Sequence, residues 1–206
     1  LNQIRDRVEF FYRFYPDPEE DELFKIYAKE MYERFKVLNR VIDYMLSYSQ
    51  SNVDPEDIDL KSAFEDIVKG YDNIFTKENI ILQTDFPDKL VLCANKQFFR
   101  DILQNLIDNS IKALSGVSKK VIRCSYEVKN DNLEVLVSDT GVGIPIENRE
   151  QVFALYYTTT EHQGGAGIGL YVVKTRVESL KGTVSVIDSE FGDIGTTIKI
   201  TIPFKK

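Results

Sequence analysis

Residues 139–144, Asp-Thr-Gly-Val-Gly-Ile, decide the fold together with residues 165–170, Gly-Ala-Gly-Ile-Gly-Leu. A carboxylate followed by two closely spaced glycines lets the backbone approach a flat ligand. A glycine run that opens into a helix can cradle phosphates, because the exposed amide donors and the helix dipole favour anions. Either run alone is no more than a turn signal. Together they indicate a nucleotide site.

The composition is that of an ordinary soluble protein, with 206 residues, 43% hydrophobic and 29% charged. This length suits one large domain, or one domain with an appendage. The net charge of −7 argues against nucleic acid as the main partner and leaves room only for a local basic patch. No stretch reaches the roughly 18 uninterrupted apolar residues of a membrane span. Cys93 and Cys124 lie in apolar, strand-like contexts, and we interpret them as core thiols in a reducing compartment.

The first 50 residues carry the apolar spacing of two helices. Positions from Leu1 to Tyr15 step by three and four, and Pro16-Asp17-Pro18 then interrupts the pattern with a good N-cap. A second helix is predicted to about Ser49, which gives an antiparallel hairpin. At 1.5 Å per residue the second helix would be roughly 48 Å long and the first only about 22 Å. We therefore expect the sequence to begin inside its first helix; the alternative is a short helix whose apolar seam a partner subunit covers.

A polar, aperiodic stretch at residues 51–58 is predicted to link this hairpin, residues 1–50, to a second domain, residues 59–206. Strands and helices mix in the second domain, which predicts one sheet layered against helices, α/β in class. Two of its strands form a hairpin that delivers Asp139 to a strand end. The predicted helices are 59–75, 96–115 and 169–181, and the predicted strands are 80–86, 90–94, 121–128, 133–138, 183–187 and 196–203.

The helix at 96–115 carries Asn105, Asn109 and Lys112 within about 60° of arc, opposite its apolar face. Two amide oxygens and an ammonium suit a metal-bound triphosphate, because neutral oxygens can complete the shell of a hard cation that keeps several waters. Taken alone, a solvated amphipathic helix explains the same pattern better.

Four motifs in one order resemble the N, G1, F and G2 boxes of sensor histidine kinases, which belong to the GHKL superfamily of ATP-binding domains. The resemblance covers about Asp59 to Phe204. It implies an α+β two-layer sandwich, a Bergerat-type mixed sheet packed on helices, preceded by an α-helical hairpin. The motifs are Asn105-x-x-x-Asn109-x-x-Lys112, Asp139-x-Gly141-x-Gly143, Phe153-x-x-Tyr156-Tyr157-Thr158-Thr159 and Gly165-x-Gly167-x-Gly169.

The resemblance implies a role for each matching residue at the base. Asp139 would accept a hydrogen bond from the adenine amino group, which a carboxylate reads well. Gly141 and Gly143 would let the backbone close over the base and begin the ATP lid. Thr196 would support Asp139 across the sheet.

At the phosphates the resemblance implies magnesium and phosphate contacts. Asn109 would be the principal magnesium ligand, with Asn105 assisting directly or through water, and Lys112 would reach phosphate. Thr158 of the F box also falls in the implied ATP-binding set. The phosphate-cradling run would be Gly165, Gly167, Gly169 and Leu170.

Asn105 also separates branches of the superfamily. Gyrase-type and mismatch-repair ATPases carry a glutamate there as the general base for water, and a neutral amide cannot take that proton. Asn105 therefore favours phosphoryl transfer over hydrolysis, with Asn105 and Lys112 as the implied catalytic residues.

Residues 34–49 resemble the end of the second helix of the kinases' dimerisation and phosphotransfer domain, and Leu1-Asn2-Gln3-Ile4 resembles the segment after the phosphoacceptor motif. The implied function is the cytoplasmic catalytic core of a homodimeric sensor histidine kinase that binds Mg²⁺ and ATP. The alternative for its location is the cytoplasmic portion of a sensor that is anchored in the membrane upstream. This core would pass the γ-phosphoryl to a histidine before Leu1 and then to the receiver domain of a response regulator. No nucleic acid or membrane contact by this segment is expected. The alternative is a nucleotide-binding pseudokinase scaffold without turnover; an ATPase clamp is disfavoured by Asn105.

The sequence departs from the family pattern at two lid positions. His162, the only histidine, lies between the F box and the second glycine run, and we interpret it as a lid residue and not as the acceptor. Thr160 stands where the F box of many of these kinases ends in lysine, which removes one possible charge near the γ-phosphate.

Overall fold

The computed structural model describes residues 31–32, 42, 55–87, 89–157 and 167–204. Met31, Tyr32 and Ile42 are helical, as the predicted second helix requires. The rest of the predicted hairpin lies outside the described residues. The chain divides into two compact units. The first contains residues 1–52 and 158–168, and the second contains residues 53–157 and 169–206. The second unit contains the sheet and is described below.

A five-stranded mixed sheet organises this unit, with strands in the order β2-β4-β5-β7-β6. β2 runs parallel to β4, and the other neighbours are antiparallel. A separate two-stranded antiparallel sheet joins β1 to β3. The strands are β1 Glu56–Asp59, β2 Ile81–Asp85, β3 Val91–Ala94, β4 Val121–Lys129, β5 Asn132–Asp139, β6 Thr183–Ile187 and β7 Thr196–Pro203, and the helices are α1 Leu60–Lys69, α2 Asp72–Glu78, α3 Lys96–Ala113 and α4 Gly169–Ser179.

One hydrophobic core joins the five-stranded sheet to α1, α3 and α4. Alternate residues of β4, β5 and β7 are buried, as expected for strands with one face on the core. The sheet therefore forms one layer and the helices the other, which confirms the predicted two-layer arrangement. The largest fully buried apolar side chains include Leu60, Leu103, Leu106, Ile107, Ile122, Leu133, Val173 and Ile200.

Local signals in the sequence fix the ends of these elements. The Asp59 carboxylate accepts a hydrogen bond from the Ser62 N–H at 2.9 Å and caps α1. The Asn95 side chain caps α3 by accepting from the N–H groups of Gln97 and Phe98. Asn130 and Asp131, both with φ in the left-handed region, form the tight turn between β4 and β5.

Three expectations are corrected by the structure. The predicted single helix at 59–75 is two helices, separated at Gly70 and Tyr71, because glycine is a weak helix former and Asp72 favours a new first turn. The predicted linker contains part of β1, and β1 pairs with β3 in a second sheet instead of one sheet forming alone. Cys93 is exposed and not a core thiol, whereas burial raises the pKa of the Cys124 thiol to about 12.

Candidate nucleotide-binding site

Helix α3 holds both ends of the candidate site. Asn105 and Asn109 lie in its middle, facing Gly169 at the start of α4. Near its carboxyl end, Ser110 contacts Asp139, the last residue of β5, and Ala113 contacts Gly141 in the segment that follows. One rigid element therefore sets the distance between a base end at Asp139 and a phosphate end at the two asparagines.

At the base end, the Asp139 carboxylate is 4% exposed and is surrounded by donors. The Gly141 N–H donates to Oδ1 at 2.9 Å, and the Ser110 hydroxyl donates to Oδ2 at 3.3 Å. The backbone N–H of Thr196, which lies opposite Asp139 in the β5–β7 register, also donates to this carboxylate. These bonds hold the side chain in one orientation at the strand end.

Burial raises the pKa of the Asp139 carboxyl from its ordinary value of 3.8 to about 6. The hydrogen bonds from Gly141, Ser110 and Thr196 oppose this rise because they favour the charged form. The net result is a carboxylate that ionises near neutral pH. Its ionised form is an acceptor suited to a neutral N–H donor such as an exocyclic amine.

Close backbone contacts around Asp139 exclude any side chain at three glycines. A Cβ on Gly141 would lie 2.6 Å from the Ala113 side chain and carbonyl oxygen. Gly143 has a φ of 77° and faces the carbonyl oxygen of Gly195. Gly195 has a φ of 80°, and a Cβ there would lie 1.7 Å from the Asp139 carbonyl oxygen. The base end is a close-packed backbone cradle.

A polar cluster on the other face of the sheet braces the loop that carries Gly195. The Ser138 hydroxyl donates to the Glu190 carboxylate at 2.8 Å, and the Thr197 hydroxyl donates to the Ser138 oxygen at 2.9 Å. The Glu190 N–H in turn donates to the Thr197 oxygen at 3.1 Å. The β6–β7 loop is thereby held against the strand that ends in Asp139.

At the phosphate end, the side chains of Asn105 and Asn109 face Gly169, the first residue of α4. Asn105 Nδ2 donates to the Asp101 carbonyl at 2.7 Å, so its Oδ1 points away from that bond and toward Gly169. A Cβ on Gly169 would lie 3.1 Å from Asn105 Oδ1 and 3.4 Å from Asn109 Nδ2. Asn109 Nδ2 is buried and has no hydrogen-bond partner among the described residues. A buried amide without a partner is costly, which points to a ligand as the missing partner.

This donor set fits a magnesium–phosphate group better than a self-contained metal site. The described residues hold no group of three or more His, Cys, Asp and Glu side chains that could bind a metal. Magnesium binds oxygen and, in nucleotide sites, completes its shell with waters and substrate phosphates. Two amide oxygens beside a glycine cradle suit that arrangement.

The other site residues predicted from sequence are distributed as follows. Lys112 is exposed in the last turn of α3, and Leu170 is half-buried and packs against the core. Gly167 has a left-handed φ of 63°. Phe153 of the F box is buried in a short 3-10 turn, Gln151–Phe153. Thr158, Thr160, His162 and Gly165 lie outside the described residues.

Sequence reasoning missed Ser110, Gly195 and the Asp101–Arg176 ion pair. Ser110 directly follows Asn109, and its contact with Asp139 could be predicted only once the end of β5 is placed against α3. Gly195 stands in none of the four motifs, and its close contact with the Asp139 backbone depends on the packing of the β6–β7 loop. Asp101 and Arg176 are far apart in the chain, so no local pattern connects them.

Comparison with known proteins decides the family. Residues 94–206, more than half of the chain, match the model of the histidine kinase-, DNA gyrase B- and HSP90-like ATPases. The chain belongs to this ATPase family. The sequence resemblance to GHKL ATP-binding domains is thereby confirmed.

Among curated relatives of this ATPase domain, the autoinducer 2 sensor kinase/phosphatase LuxQ of Vibrio harveyi is 28% identical over 179 residues. The match covers 82% of this chain but only 21% of LuxQ, so the chain spans about a fifth of that relative's length.

Solved structures share the fold. Full-length ShkA in complex with AMPPNP superposes with a TM-score of 0.71 at 16% identity, over 100% of this chain and 44% of ShkA. The histidine kinase ThkA in complex with the response regulator protein TrrA gives 0.69 at 20% identity, over 99% of this chain and 57% of ThkA. Within the described residues, no helix has both the length and the apolar character needed to cross a membrane.

Proposed function

We propose that this chain is the catalytic core of a sensor histidine kinase in a two-component system and that it binds Mg²⁺ with ATP. The observation that carries the proposal is that one helix, α3, contacts the Asp139 carboxylate through Ser110 and presents Asn105 and Asn109 to Gly169. It thereby joins a carboxylate site for a base to an amide site for phosphates. The family membership and the likeness to sensor kinases such as LuxQ support it.

The base end selects adenine in this proposal. The ionised Asp139 accepts from the adenine amino group, while Gly141 and Gly143 bring the backbone close to the flat ring. Thr196 holds the aspartate from the neighbouring strand. Because the donors around Asp139 are already in place, the carboxylate needs little rearrangement when the base binds.

The phosphate end orients the triphosphate. Asn109 is the principal metal ligand, Asn105 assists, and Lys112 contributes positive charge. The run from Gly165 through Gly167 and Gly169 to Leu170 cradles phosphate at the start of α4, and Thr158 contributes from the lid. When bound, Mg²⁺ neutralises negative charge that develops on the transferring phosphoryl group.

The transfer joins the γ-phosphorus to an imidazole nitrogen of a histidine that precedes Leu1, while the bond to the bridging oxygen of ADP breaks. Asn105 cannot act as a general base for water, which disfavours hydrolysis as the main reaction. The phosphoryl group then passes to an aspartate of a response-regulator receiver domain. The ThkA–TrrA complex shows that a protein of similar fold binds a response regulator.

The assembly proposed is a homodimer that pairs two helical hairpins, residues 1–50, in a bundle. The hairpin is proposed as one domain, with residues 51–58 as the linker and residues 59–206 as the ATP-binding domain. The location proposed for this segment is the cytoplasm, where receiver domains and ATP are available.

Labelling with γ-³²P-ATP tests this function. We expect the 206-residue chain to bind an ATP analogue with Mg²⁺ but to remain unlabelled, and a longer chain that includes the acceptor to become labelled. Labelling of His162 would overturn the acceptor assignment. A longer chain that binds nucleotide and stays unlabelled would support the pseudokinase scaffold instead.

A further inference from the structure

An ion pair between a buried arginine and a half-buried aspartate joins helices α3 and α4 beside the candidate phosphate site. Arg176 of α4 is 1% exposed, and its Nε and Nη2 donate to Oδ2 of Asp101 at 3.0 and 2.9 Å. The guanidinium lies 4.2 Å from the ring centroid of Phe98. The other carboxylate oxygen of Asp101 accepts from Gln97 Nε2 at 2.7 Å. Both oxygens of the carboxylate are thus engaged, and the Asp101 side chain has one orientation.

Asp101 also orients an asparagine of the site. Its backbone carbonyl accepts the Asn105 Nδ2 proton, which leaves Asn105 Oδ1 facing Gly169. Asp101 therefore holds helix α4 through its side-chain carboxylate and orients the Asn105 side chain through its backbone carbonyl.

The Arg176–Asp101 ion pair and the contact of Gly169 with Asn105 lie along the same line of contact between α3 and α4, here called the seam. Gly169 and Arg176 are seven residues apart, so they share a face of α4, and Asp101 and Asn105, four apart, share a face of α3. The two helices run antiparallel along this seam. A slip of one residue would move Gly169 about 1.5 Å along the asparagines.

An ion pair that buries its arginine and leaves its aspartate 20% exposed is weak evidence for a purely stabilising role. Removing two charges from water offsets most of their attraction, and well-packed apolar residues are often equally stable. A guanidinium that stacks on Phe98 and directs two nitrogens at one carboxylate oxygen also fixes the orientation of its partner, because its planar fork has a fixed geometry.

We infer that Arg176 and Asp101 are positioning residues that set the axial register of α4 on α3, and thereby the fit of the Asn105–Asn109–Gly169 cluster to a metal-bound phosphate. This inference rests on the proposed nucleotide function. It assigns the ion pair to the metal-dependent part of binding and not to recognition of the base, which Asp139 performs at the other end of α3.

The test measures how much Mg²⁺ improves binding of a nonhydrolysable ATP analogue, as the ratio of Kd in EDTA to Kd with Mg²⁺ by calorimetry. We expect Arg176→Met to reduce that ratio by about tenfold, within the range of coupling between residues of one network. The Kd in EDTA should change less than about twofold. Arg176→Lys, which keeps the charge but offers no planar fork, should recover part of the ratio.

Lys199→Met is the matched control. Lys199 pairs with Glu134 at 2.7 Å on β7 and β5, away from the asparagines, so its loss should leave the ratio unchanged. If Arg176→Met does not fold, Asp101→Asn combined with Arg176→Met carries the same test, because it leaves no unpaired buried charge and keeps the Asp101 carbonyl.

The outcomes separate the two proposals. An unsubstituted chain that binds no analogue overturns the proposed function and with it the inference. An unsubstituted chain that shows the magnesium gain, with Arg176→Met showing the same gain, overturns the inference alone. Equal weakening of both Kd values by Arg176→Met shows a merely structural pair and also overturns it.

Discussion

At the base end of the site, Asp139 accepts hydrogen bonds from Gly141, Ser110 and Thr196, whereas at the phosphate end Asn109 Nδ2 is buried with no partner among the described residues. The base end is held by backbone contacts that leave no room for a Cβ on Gly195. The phosphate end consists of the Asn105 and Asn109 side chains, which face the first residue of α4, Gly169. We infer that the first end is formed before nucleotide binds and that the second is completed by the nucleotide.

The largest expected effect is at the backbone cradle. Gly195→Ala would force a Cβ to 1.7 Å from the Asp139 carbonyl oxygen at a φ of 80°, and backbone cannot move aside as a side chain would. We expect a loss of more than about 3 kcal/mol in the free energy of unfolding, measured with urea.

Gly192→Ala is the control for this loss. Gly192 has a φ of 82° in the same loop, but among the described residues beyond its two neighbours no atom lies within 4 Å of the position a Cβ would take. The free energy of unfolding of Gly192→Ala should fall by only about 1–2 kcal/mol, which is the cost of an alanine in the left-handed region. Equal losses at the two glycines would show that the cradle is not close-packed.

Asp139→Asn should change how stability depends on pH. The folded-state pKa of Asp139, about 6, lies above the ordinary 3.8, so its ionisation destabilises the folded state as pH rises between these values. Relative to wild type, Asp139→Asn should therefore gain stability from about pH 4 to about pH 7, by up to about 3 kcal/mol.

Urea unfolding at several pH values measures this gain. Glu78→Gln provides the opposite case, because a hydrogen bond from Lys120 lowers the pKa of the exposed Glu78 carboxyl. Relative to wild type, Glu78→Gln should lose stability as the pH rises through the acid range. A stability difference between Asp139→Asn and wild type that does not vary with pH would contradict the burial of a carboxylate at the base end.

Gly169→Ala probes the phosphate end. A Cβ there would crowd side-chain atoms at 3.1 and 3.4 Å and not backbone, so the free energy of unfolding should change by less than about 1 kcal/mol. Affinity for a Mg²⁺-bound ATP analogue should fall about tenfold, or ~1.4 kcal/mol. Gly70→Ala, whose Cβ would lie 3.2 Å from the Ile67 carbonyl oxygen and in contact with neither asparagine, should leave affinity unchanged. Equal affinities for the two variants would remove Gly169 from the site.

Asn109→Ala should have the smallest effect on the nucleotide-free protein. It removes a buried amide whose Nδ2 has no hydrogen-bond partner among the described residues, so the free energy of unfolding should stay within about 1 kcal/mol of wild type or rise. Magnesium-dependent nucleotide binding should nevertheless be lost. A large fall in the melting temperature without nucleotide would show that Asn109 is structural.

Elements with strong local signals could be predicted from the sequence. Helix α3 has a cap, a periodic apolar face and a polar face, and it differs from its prediction only in ending at Ala113 instead of Ser115. The β4–β5 hairpin was predicted because its strands flank a turn-forming Asn-Asp pair. The strand β1 was missed because four residues, two of them aspartate, carry no strand pattern and depend on pairing with β3.

The site residues also fall into those that a local motif marks and those that depend on tertiary contacts. Asp139, Asn105 and Asn109 stand in motifs, so their grouping could be predicted. The Gly195 contact and the Arg176–Asp101 pair depend on tertiary packing between segments that are distant in sequence, and a charged arginine with 1% exposure contradicts the usual preference of its residue type. Such contacts become visible only when the helices are placed.

The most direct test of the nucleotide site is calorimetric titration of the 206-residue chain with a Mg²⁺-bound nonhydrolysable ATP analogue, beside Asp139→Asn. We expect one nucleotide per chain and at least about tenfold weaker binding by Asp139→Asn, because the amide presents a donor where adenine also has one. An absence of binding by the unsubstituted chain, or equal affinity of the two proteins, would contradict the central claim that Asp139 on its glycine cradle reads the base.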